Sequence, residues 1–257
     1  MKTLKSIALI LLSLNFLQVQ AQEKAKPEDT EIWEPIPKVV TPGKVLGEAP
    51  SDAIILFDGK SLDKWVSTQD RTKPAVWDVH DGVFTVKKGT GNIETQQKFS
   101  NYQLHIEWKI PSNITGSGQA RGNSGIFLAS TGTGDGGYEL QVLDAYQNKT
   151  YVNGMAGSIY KQFIPLANPA RKPGEWQTYD VIWTAPVFNS DSSLVSPARA
   201  TVFFNGVLVE NNVSLMGETR YIGKPFYKMH GPCPIKLQAH GDKSEPISYR
   251  NIWVREL

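Results

Sequence analysis

The sequence predicts an all-β protein built from two packed antiparallel sheets. Apolar and polar residues alternate along many short segments, no apolar period of 3.6 residues is sustained, and glycine and proline fall between the segments. Alternation gives a strand one apolar face, and strands of this kind bury that face by packing one sheet on another. No internal repeat favours a propeller or a solenoid.

Eleven segments are predicted as strands from this pattern. In chain order they are Ala53–Phe57, Val76–Val79, Val83–Val86, Tyr102–Ile110, Gly125–Ala129, Tyr138–Leu143, Thr178–Trp183, Ala200–Phe204, Val207–Val209, Ile235–His240 and Ser248–Arg255.

Turn residues and face patterns support these strands. Asp81-Gly82 and Asn205-Gly206 are typical of hairpin turns, because glycine adopts the positive φ that these turns require. Tyr102–Ile110 alternates most clearly, with Glu107 and His105 on the polar face.

The N-terminus predicts export. Lys2 and Lys5 precede an apolar run from Ile7 to Leu17, and small residues lead up to Ala21. This layout is typical of a cleavable secretory signal, and the run is shorter than the roughly 20 residues of a membrane span. We therefore expect a signal peptide over residues 1–21, a proline-rich leader over 22–51 and one β domain over 52–257, with no membrane span.

Composition excludes several classes of function. The net charge is only +2 and no basic block occurs, so nucleic acid is not an expected partner. The single Cys233 forms no internal disulfide. No phosphate-cradling glycine loop, nucleophile elbow or helical His-Glu zinc motif is found. Most of the 26 aromatic residues (7 Trp, 9 Tyr and 10 Phe) are expected in the core.

Two predicted strands have one apolar face and one face of hydrogen-bonding groups. Glu139 and Gln141 alternate with apolar residues on the first, and Gln238 and His240 do so on the second. Such a face is suited to binding a carbohydrate. The polar face that includes Glu107 could equally be an ordinary solvated sheet face.

Three further residues are candidates for binding a ligand. Asn123 lies between Gly122 and Ser124 at the start of a strand, where its amide can face a ligand or simply support a turn. Lys161 and Arg250 could each bind an anionic or keto oxygen, although most such side chains are only solvated.

At this point the chain resembles a known family. The motifs that carry the resemblance occur in order and span about Ala53 to Leu257. They are Leu56-Phe57-Asp58-Gly59-Lys60-Ser61-Leu62-Asp63-Lys64-Trp65, Gly122-Asn123-Ser124-Gly125-Ile126, Tyr138-Glu139-Leu140-Gln141-Val142-Leu143-Asp144, Gly174-Glu175-Trp176, Leu237-Gln238-Ala239-His240-Gly241 and Arg250-Asn251-Ile252. Together they are similar to the 3-keto-disaccharide hydrolase family, also described as 3-keto-glucoside 1,2-lyases or 3-keto-2-hydroxyglucal hydratases.

The resemblance implies a jelly-roll sandwich like that of concanavalin A-type lectins and laminarinase-type glucanases, in a bacterial protein that is periplasmic or extracellular. Laminarinase-type enzymes carry several acids on the catalytic strand. Here Gln141 stands where a second acid would follow Glu139, which counts against hydrolysis by paired carboxylates. A C3 ketone instead acidifies the C2 proton and allows elimination, which needs a base, an acid and donors to the C3 oxygen.

The resulting hypothesis assigns Glu139 and His240 to proton transfer, with the order open. Asn123, Gln141 and Gln238 would bind sugar hydroxyls, Lys161 or Arg250 the keto oxygen, and Glu107 would be a reserve acid. No cofactor is required, although a divalent cation could replace the basic residue at the enolate, and its ligands are unknown. The expected partner is a small carbohydrate, and the oligomeric state is open. Two alternatives remain, a conventional glycosidase using Glu139 and Glu107 and a non-catalytic sugar-binding module.

Overall fold

The computed structural model describes residues 25–241 and 245–257, so the predicted signal peptide lies outside the described residues. The chain divides into two compact units, Met1–Val39 and Val40–Leu257. In the first unit, Pro27–Thr30 form a 3-10 turn and Trp33 is exposed. No helix of the described residues combines the length and the apolar character that a membrane crossing needs.

Fifteen strands and two short 3-10 helices occur in the described part of the second unit. The strands are β1 (Ile54–Phe57), β2 (Trp65–Ser67), β3 (Asp78–His80), β4 (Val83–Thr85), β5 (Ile93–Thr95), β6 (Tyr102–Lys109), β7 (Ser124–Ser130), β8 (Gly137–Val142), β9 (Trp176–Thr184), β10 (Val187–Phe188), β11 (Leu194–Ser196), β12 (Arg199–Phe204), β13 (Val207–Ser214), β14 (Lys236–Leu237) and β15 (Ser248–Glu256). The 3-10 helices are Gly118–Ala120 and Val152–Gly154.

Thirteen of these strands form two antiparallel sheets packed against each other, and β10 and β11 form a separate two-stranded sheet. The eight-stranded sheet has the order β13-β12-β9-β6-β15-β4-β3, with β1 paired to β15, and the five-stranded sheet has the order β2-β5-β14-β7-β8. Apolar side chains from both sheets form one core. Tyr102 and Tyr179 of the larger sheet donate hydrogen bonds to the carbonyls of Leu128 and Gln141 in the smaller one. The fold is therefore the predicted two-sheet antiparallel jelly-roll sandwich.

Observed and predicted strands differ mainly where strands are short. β2, β5, β10 and β11 have two or three residues each, which is too few for alternation to be visible in the sequence. The predicted strand Ile235–His240 is paired only over Lys236–Leu237, although the Gln238 amide still donates to the Gly125 carbonyl. β13 continues to Ser214, past the predicted end at Val209.

Gly47, shortly before the first strand, contacts the outer face of the larger sheet. The Gly47 carbonyl accepts hydrogen bonds from the side chains of Asn251 and Trp253. This contact covers His105, which is only 2% exposed. Gly47, expected to belong to the leader, is therefore part of the contacts of the β domain.

Candidate functional site

The face of the smaller sheet that points away from the core carries a row of large polar groups. Glu139 on β8 is opposite Phe127 on β7, which in turn is opposite Lys236 on β14. Because side chains alternate along a strand, Leu140 points the other way, into the core, and is fully buried. The alternation predicted for these strands is thus confirmed.

A second row of side chains lies two residues further along the same strands. Gln141 is opposite Gly125, and the Gly125 carbonyl accepts a hydrogen bond from the Gln238 backbone. The space above Gly125, between these two amide side chains, is filled by the Glu139 carboxyl. Strand register therefore brings residues from distant parts of the chain to one surface.

A cavity of about 440 Å³ lies over these rows, a volume usual for small-molecule sites. Five of the residues predicted from the sequence line its wall: Asn123, Glu139, Gln141, Gln238 and His240. It also contains six that sequence reasoning missed: Gln119, Asp135, Tyr151, Tyr160, Thr219 and Tyr221. The missed residues lie outside the strands, where periodicity carries no signal.

Glu139 is a buried carboxylic acid inside this cavity, with 5% of its surface exposed. Burial, reinforced by the negative charge of Asp135 and partly opposed by Lys236, raises its pKa to about 8. An ideal Cβ on Gly125 would lie 2.5 Å from Glu139 Oε1, so the carboxyl rests directly on the glycine backbone. At neutral pH the group mostly carries its proton, which suits a general acid.

The amide side chains have hydrogen-bonding capacity left over. Gln141 Nε2 donates to Asn123 Oδ1 at 2.8 Å, and Asn123 Nδ2 donates to the Gln119 carbonyl. Gln238 Nε2 donates to Asp135 Oδ1 at 2.9 Å. The Oε1 atoms of Gln141 and Gln238 are buried and accept no hydrogen bond within the described structure. A buried acceptor left unpaired costs about 1–3 kcal/mol, so a ligand hydroxyl that bonded to either atom would remove this cost.

A glycine-rich loop over residues 131–136 brings Asp135 to the cavity. Lys236 is fully buried, and its ammonium donates to the carbonyls of Gly132, Gly134 and Gly136 at 2.7–2.9 Å. Burial lowers the pKa of Lys236 to about 8, while the surrounding carboxylates act in the opposite direction. The lysine therefore fixes the loop through all three of its hydrogen atoms.

Tyrosines form another part of the cavity wall. The hydroxyls of Tyr151 and Tyr160 are hydrogen bonded to each other at 2.6 Å. The Lys161 ammonium lies 4.4 Å from the Tyr221 ring centroid and donates to the Tyr221 carbonyl. Lys161 itself does not line the cavity. The lysine predicted to bind the keto oxygen thus contacts tyrosines of the cavity wall instead.

Arg250 and Glu107 lie outside the cavity, on the larger sheet. Arg250 Nε donates to Glu107 Oε2 at 2.6 Å. Burial acts to raise the pKa of Glu107, but hydrogen bonds from His105, Asn251 and Arg250 outweigh it and hold the pKa at about 2. Neither residue belongs to the candidate site, because neither lines the cavity. The sequence prediction was wrong here since alternation shows which residues share a face but not which sheet the strand joins. The glycosidase pair of Glu139 with Glu107 is likewise excluded by this geometry.

His240 completes the set of residues that can move protons in the cavity. It is half-buried and follows β14 by three residues, on the same polar side as Gln238. Across residues 25–241 and 245–257, no group of three or more His, Cys, Asp and Glu side chains is arranged to hold a metal ion.

Comparison with known proteins supports the resemblance noted in the sequence. Residues 52–255 match the model of the 3-keto-alpha-glucoside-1,2-lyase-like domain. The chain belongs to this family. Among its relatives is a 3-keto-disaccharide hydrolase from Bacteroides thetaiotaomicron, 29% identical over 161 residues, which are 50% of this chain and 52% of the relative. The chain thus matches about half the length of that curated relative.

Solved structures place the lyase-like chain near proteins from Parabacteroides distasonis. One, provisionally named a glycosyl hydrolase, is 56% identical with a TM-score of 0.84, covering 90% of this chain and 97% of that one. A second with the same provisional name is 23% identical, has a TM-score of 0.56 and covers 80% and 99% of the two chains. The second likeness shows the shared fold alone. Family and first neighbour together support a carbohydrate-active enzyme.

Proposed function

We propose that the protein is a carbohydrate-active enzyme that cleaves 3-keto-glycosides by elimination followed by hydration. The observation that carries this proposal is a buried carboxyl with a pKa of about 8 in a cavity that also contains an imidazole and two unpaired amide oxygens. The family and the name of its Bacteroides relative agree with this substrate class.

Elimination from a 3-keto-glycoside needs two proton transfers. The base removes the C2 proton, and the C2–H electron pair forms a C2–C3 double bond as the carbonyl pair moves onto the C3 oxygen. The enolate then collapses, C1–C2 becomes a double bond, and the C1–O bond breaks while the acid protonates the leaving oxygen. Water next adds to C1 and a proton returns to C2, so the base and the acid recover their starting states.

In this reaction Glu139 is the acid and His240 is the base. The carboxyl of Glu139 is mostly protonated at neutral pH, as a donor to the leaving oxygen must be. His240 then takes the C2 proton. Gln141 and Gln238 accept hydrogen bonds from sugar hydroxyls through their free Oε1 atoms, and Asn123 holds the Gln141 amide in place.

One assay tests this function directly. The purified protein is incubated with a methyl 3-keto-glucoside and with the unoxidised methyl glucoside, and release of methanol is followed. We expect turnover of the keto form alone, and loss of that turnover in Glu139→Gln. Binding of the ketone without turnover would contradict the proposal and indicate a carbohydrate-binding module.

A second candidate function is conventional glycoside hydrolysis by Glu139 and Asp135. The observation that favours it is the negative charge of Asp135, which shares the cavity and helps to raise the pKa of Glu139. Asp135 Oδ1 already accepts from Gln238, which leaves it less free as a nucleophile. Cleavage of the unoxidised glucoside, lost in Asp135→Asn, would establish this candidate instead.

A further inference from the structure

We propose that the hydroxyl pair of Tyr151 and Tyr160 donates the hydrogen bond that receives the negative charge at the C3 oxygen during elimination. This inference rests on the proposed function and names a catalytic group that the sequence did not predict. Elimination requires a donor to the C3 oxygen, and the two basic residues predicted for this role are not in place. Arg250 lies on the other sheet, and Lys161 does not line the cavity.

The geometry leaves one phenolic hydrogen available. The two hydroxyl oxygens are 2.6 Å apart, and a phenol has a single hydrogen to donate. One hydroxyl therefore donates to the other, and the second hydrogen has no acceptor within the described structure. Both side chains line the cavity, so a ligand oxygen can become that acceptor.

The two phenols lie close to the proposed acid and stay protonated. Burial raises the pKa of Tyr160 above its ordinary value, and hydrogen bonding to Tyr151 and the charge of Glu139 act in the same direction. Burial likewise raises the pKa of Tyr151. A phenol that keeps its proton is a hydrogen-bond donor throughout the working pH range.

The Lys161 ammonium lies close to the rings of the donor pair. Its ammonium lies 5.5 Å and 5.8 Å from the ring centroids of Tyr151 and Tyr160, and 4.4 Å from that of Tyr221. Its backbone has a φ of +59°, a left-handed conformation that is uncommon for lysine. The positive charge favours electron density moving onto a phenol that donates to an oxyanion. Lys161 thus acts on the keto oxygen through the tyrosines, as a positioning residue.

The chemical step involves no transfer of the phenolic proton. The base takes the C2 proton, the C2–H electron pair enters the new double bond, and the charge that appears on the C3 oxygen is held by the phenolic hydrogen. Removing a single donor to such an oxyanion typically slows a reaction about 10²–10³-fold. Most of this loss is expected in kcat, because the neutral ketone is bound less strongly by the donor than the enolate.

A substrate analogue isolates this step. In 3-keto-1,5-anhydroglucitol C1 carries no glycosidic oxygen, so removal and return of the C2 proton can be followed without glycosidic cleavage. Exchange of its C2 hydrogen in D₂O, followed by NMR, should fall about 10²–10³-fold in the Tyr151→Phe Tyr160→Phe double variant. The control Tyr146→Phe removes a hydroxyl outside the cavity and should exchange at the wild-type rate. Binding of the analogue, measured by calorimetry, should change little in the double variant.

The outcomes separate this inference from the proposed function. Wild-type exchange together with an unchanged rate in the double variant would overturn the tyrosine assignment and leave the function standing. A wild-type enzyme that exchanges no C2 hydrogen would overturn both. Weak binding of the analogue by the double variant, with exchange normal once the analogue saturates, would make the tyrosines binding groups and so also overturn the catalytic assignment.

Discussion

In the proposed reaction Glu139 and His240 transfer different protons, and this difference can be measured residue by residue. A good leaving group departs without protonation, so it removes the need for the acid but not for the base. For p-nitrophenyl 3-keto-glucoside, we expect Glu139→Gln to keep most of its activity and His240→Ala to lose about 10²–10⁴-fold. For methyl 3-keto-glucoside, both variants should be impaired.

Steady-state kinetics on the two glycosides provide the measurement. The reverse pattern, in which only Glu139→Gln fails on the p-nitrophenyl glycoside, would exchange the two roles. Full activity of both variants on both glycosides would show that the proton transfers occur elsewhere.

Gly125 allows a separate test of where the Glu139 carboxyl must lie. Its φ is not positive, so alanine fits the backbone, but the new Cβ would lie 2.5 Å from Glu139 Oε1. The end of a flexible side chain can move aside, and we expect Gly125→Ala to unfold at nearly the wild-type temperature while losing most of its kcat. Gly231→Ala is the matched control, because a Cβ there meets no atom within 4 Å. A Gly125→Ala enzyme with normal kcat would show that the position of the carboxyl is not critical.

Strand residues of the site could be predicted at this scale, and loop residues could not. Alternation alone placed Glu139, Gln141 and Gln238 on polar faces, and the structure gathers them in one cavity. Asp135 and Tyr160 lie where no period applies. Glycines between Gly132 and Gly137 are typical of a loop, but a polar residue within a turn is common. Whether Asp135 approaches the cavity depends on contacts with residues distant in the chain.

At the scale of elements, the loop over residues 131–136 depends on Lys236, which follows it by about 100 residues. The glycines give this loop high conformational freedom, and the three hydrogen bonds of the ammonium remove it. The sequence does not reveal the hydrogen bonds between Lys236 and this loop, because a lysine on the polar face of a strand is normally predicted to be exposed to solvent. The sequence pattern therefore indicates no role for this loop.

Lys236→Met should release the loop while the strands stay paired. We expect faster amide hydrogen exchange over residues 131–136 than in the wild type, with little change in β6, and a higher KM because Asp135 and Gln238 lose their alignment. The control Lys73→Met removes an exposed lysine that forms an ion pair with Asp70. Unchanged protection of the loop in Lys236→Met would show that other contacts hold it.

At the scale of the whole molecule, a buried charged histidine supports the larger sheet. His105 Nδ1 lies 2.7 Å from Asp180 Oδ1, and the ring stacks on Trp253. Burial acts to lower the pKa of His105, but Asp180 and Glu107 outweigh it and raise the pKa to about 9. Because the folded pKa exceeds the ordinary value of 6.5, the protonated histidine stabilises the fold fully below pH 6.5.

This contribution should be lost as the pH rises from 6.5 through 9, and it amounts to about 3 kcal/mol at most. Glu139 and Glu210, whose pKa values burial raises to about 8, weaken the fold over an overlapping range. We therefore compare the wild type with His105→Gln by urea denaturation. The difference in unfolding free energy should shrink from pH 6.5 to pH 9. A constant difference would mean that the histidine stabilises the sheet by packing alone.

In the proposed reaction the enzyme breaks a C2–H bond in order to cleave the glycosidic bond. The most direct measurement is the rate of cleavage of methyl 3-keto-glucoside carrying deuterium at C2, relative to the unlabelled compound. Elimination predicts a primary isotope effect on kcat/KM and solvent hydrogen at C2 of the released sugar. Equal rates, with the deuterium retained in the product, would contradict the account and show that the bond is cleaved by direct hydrolysis.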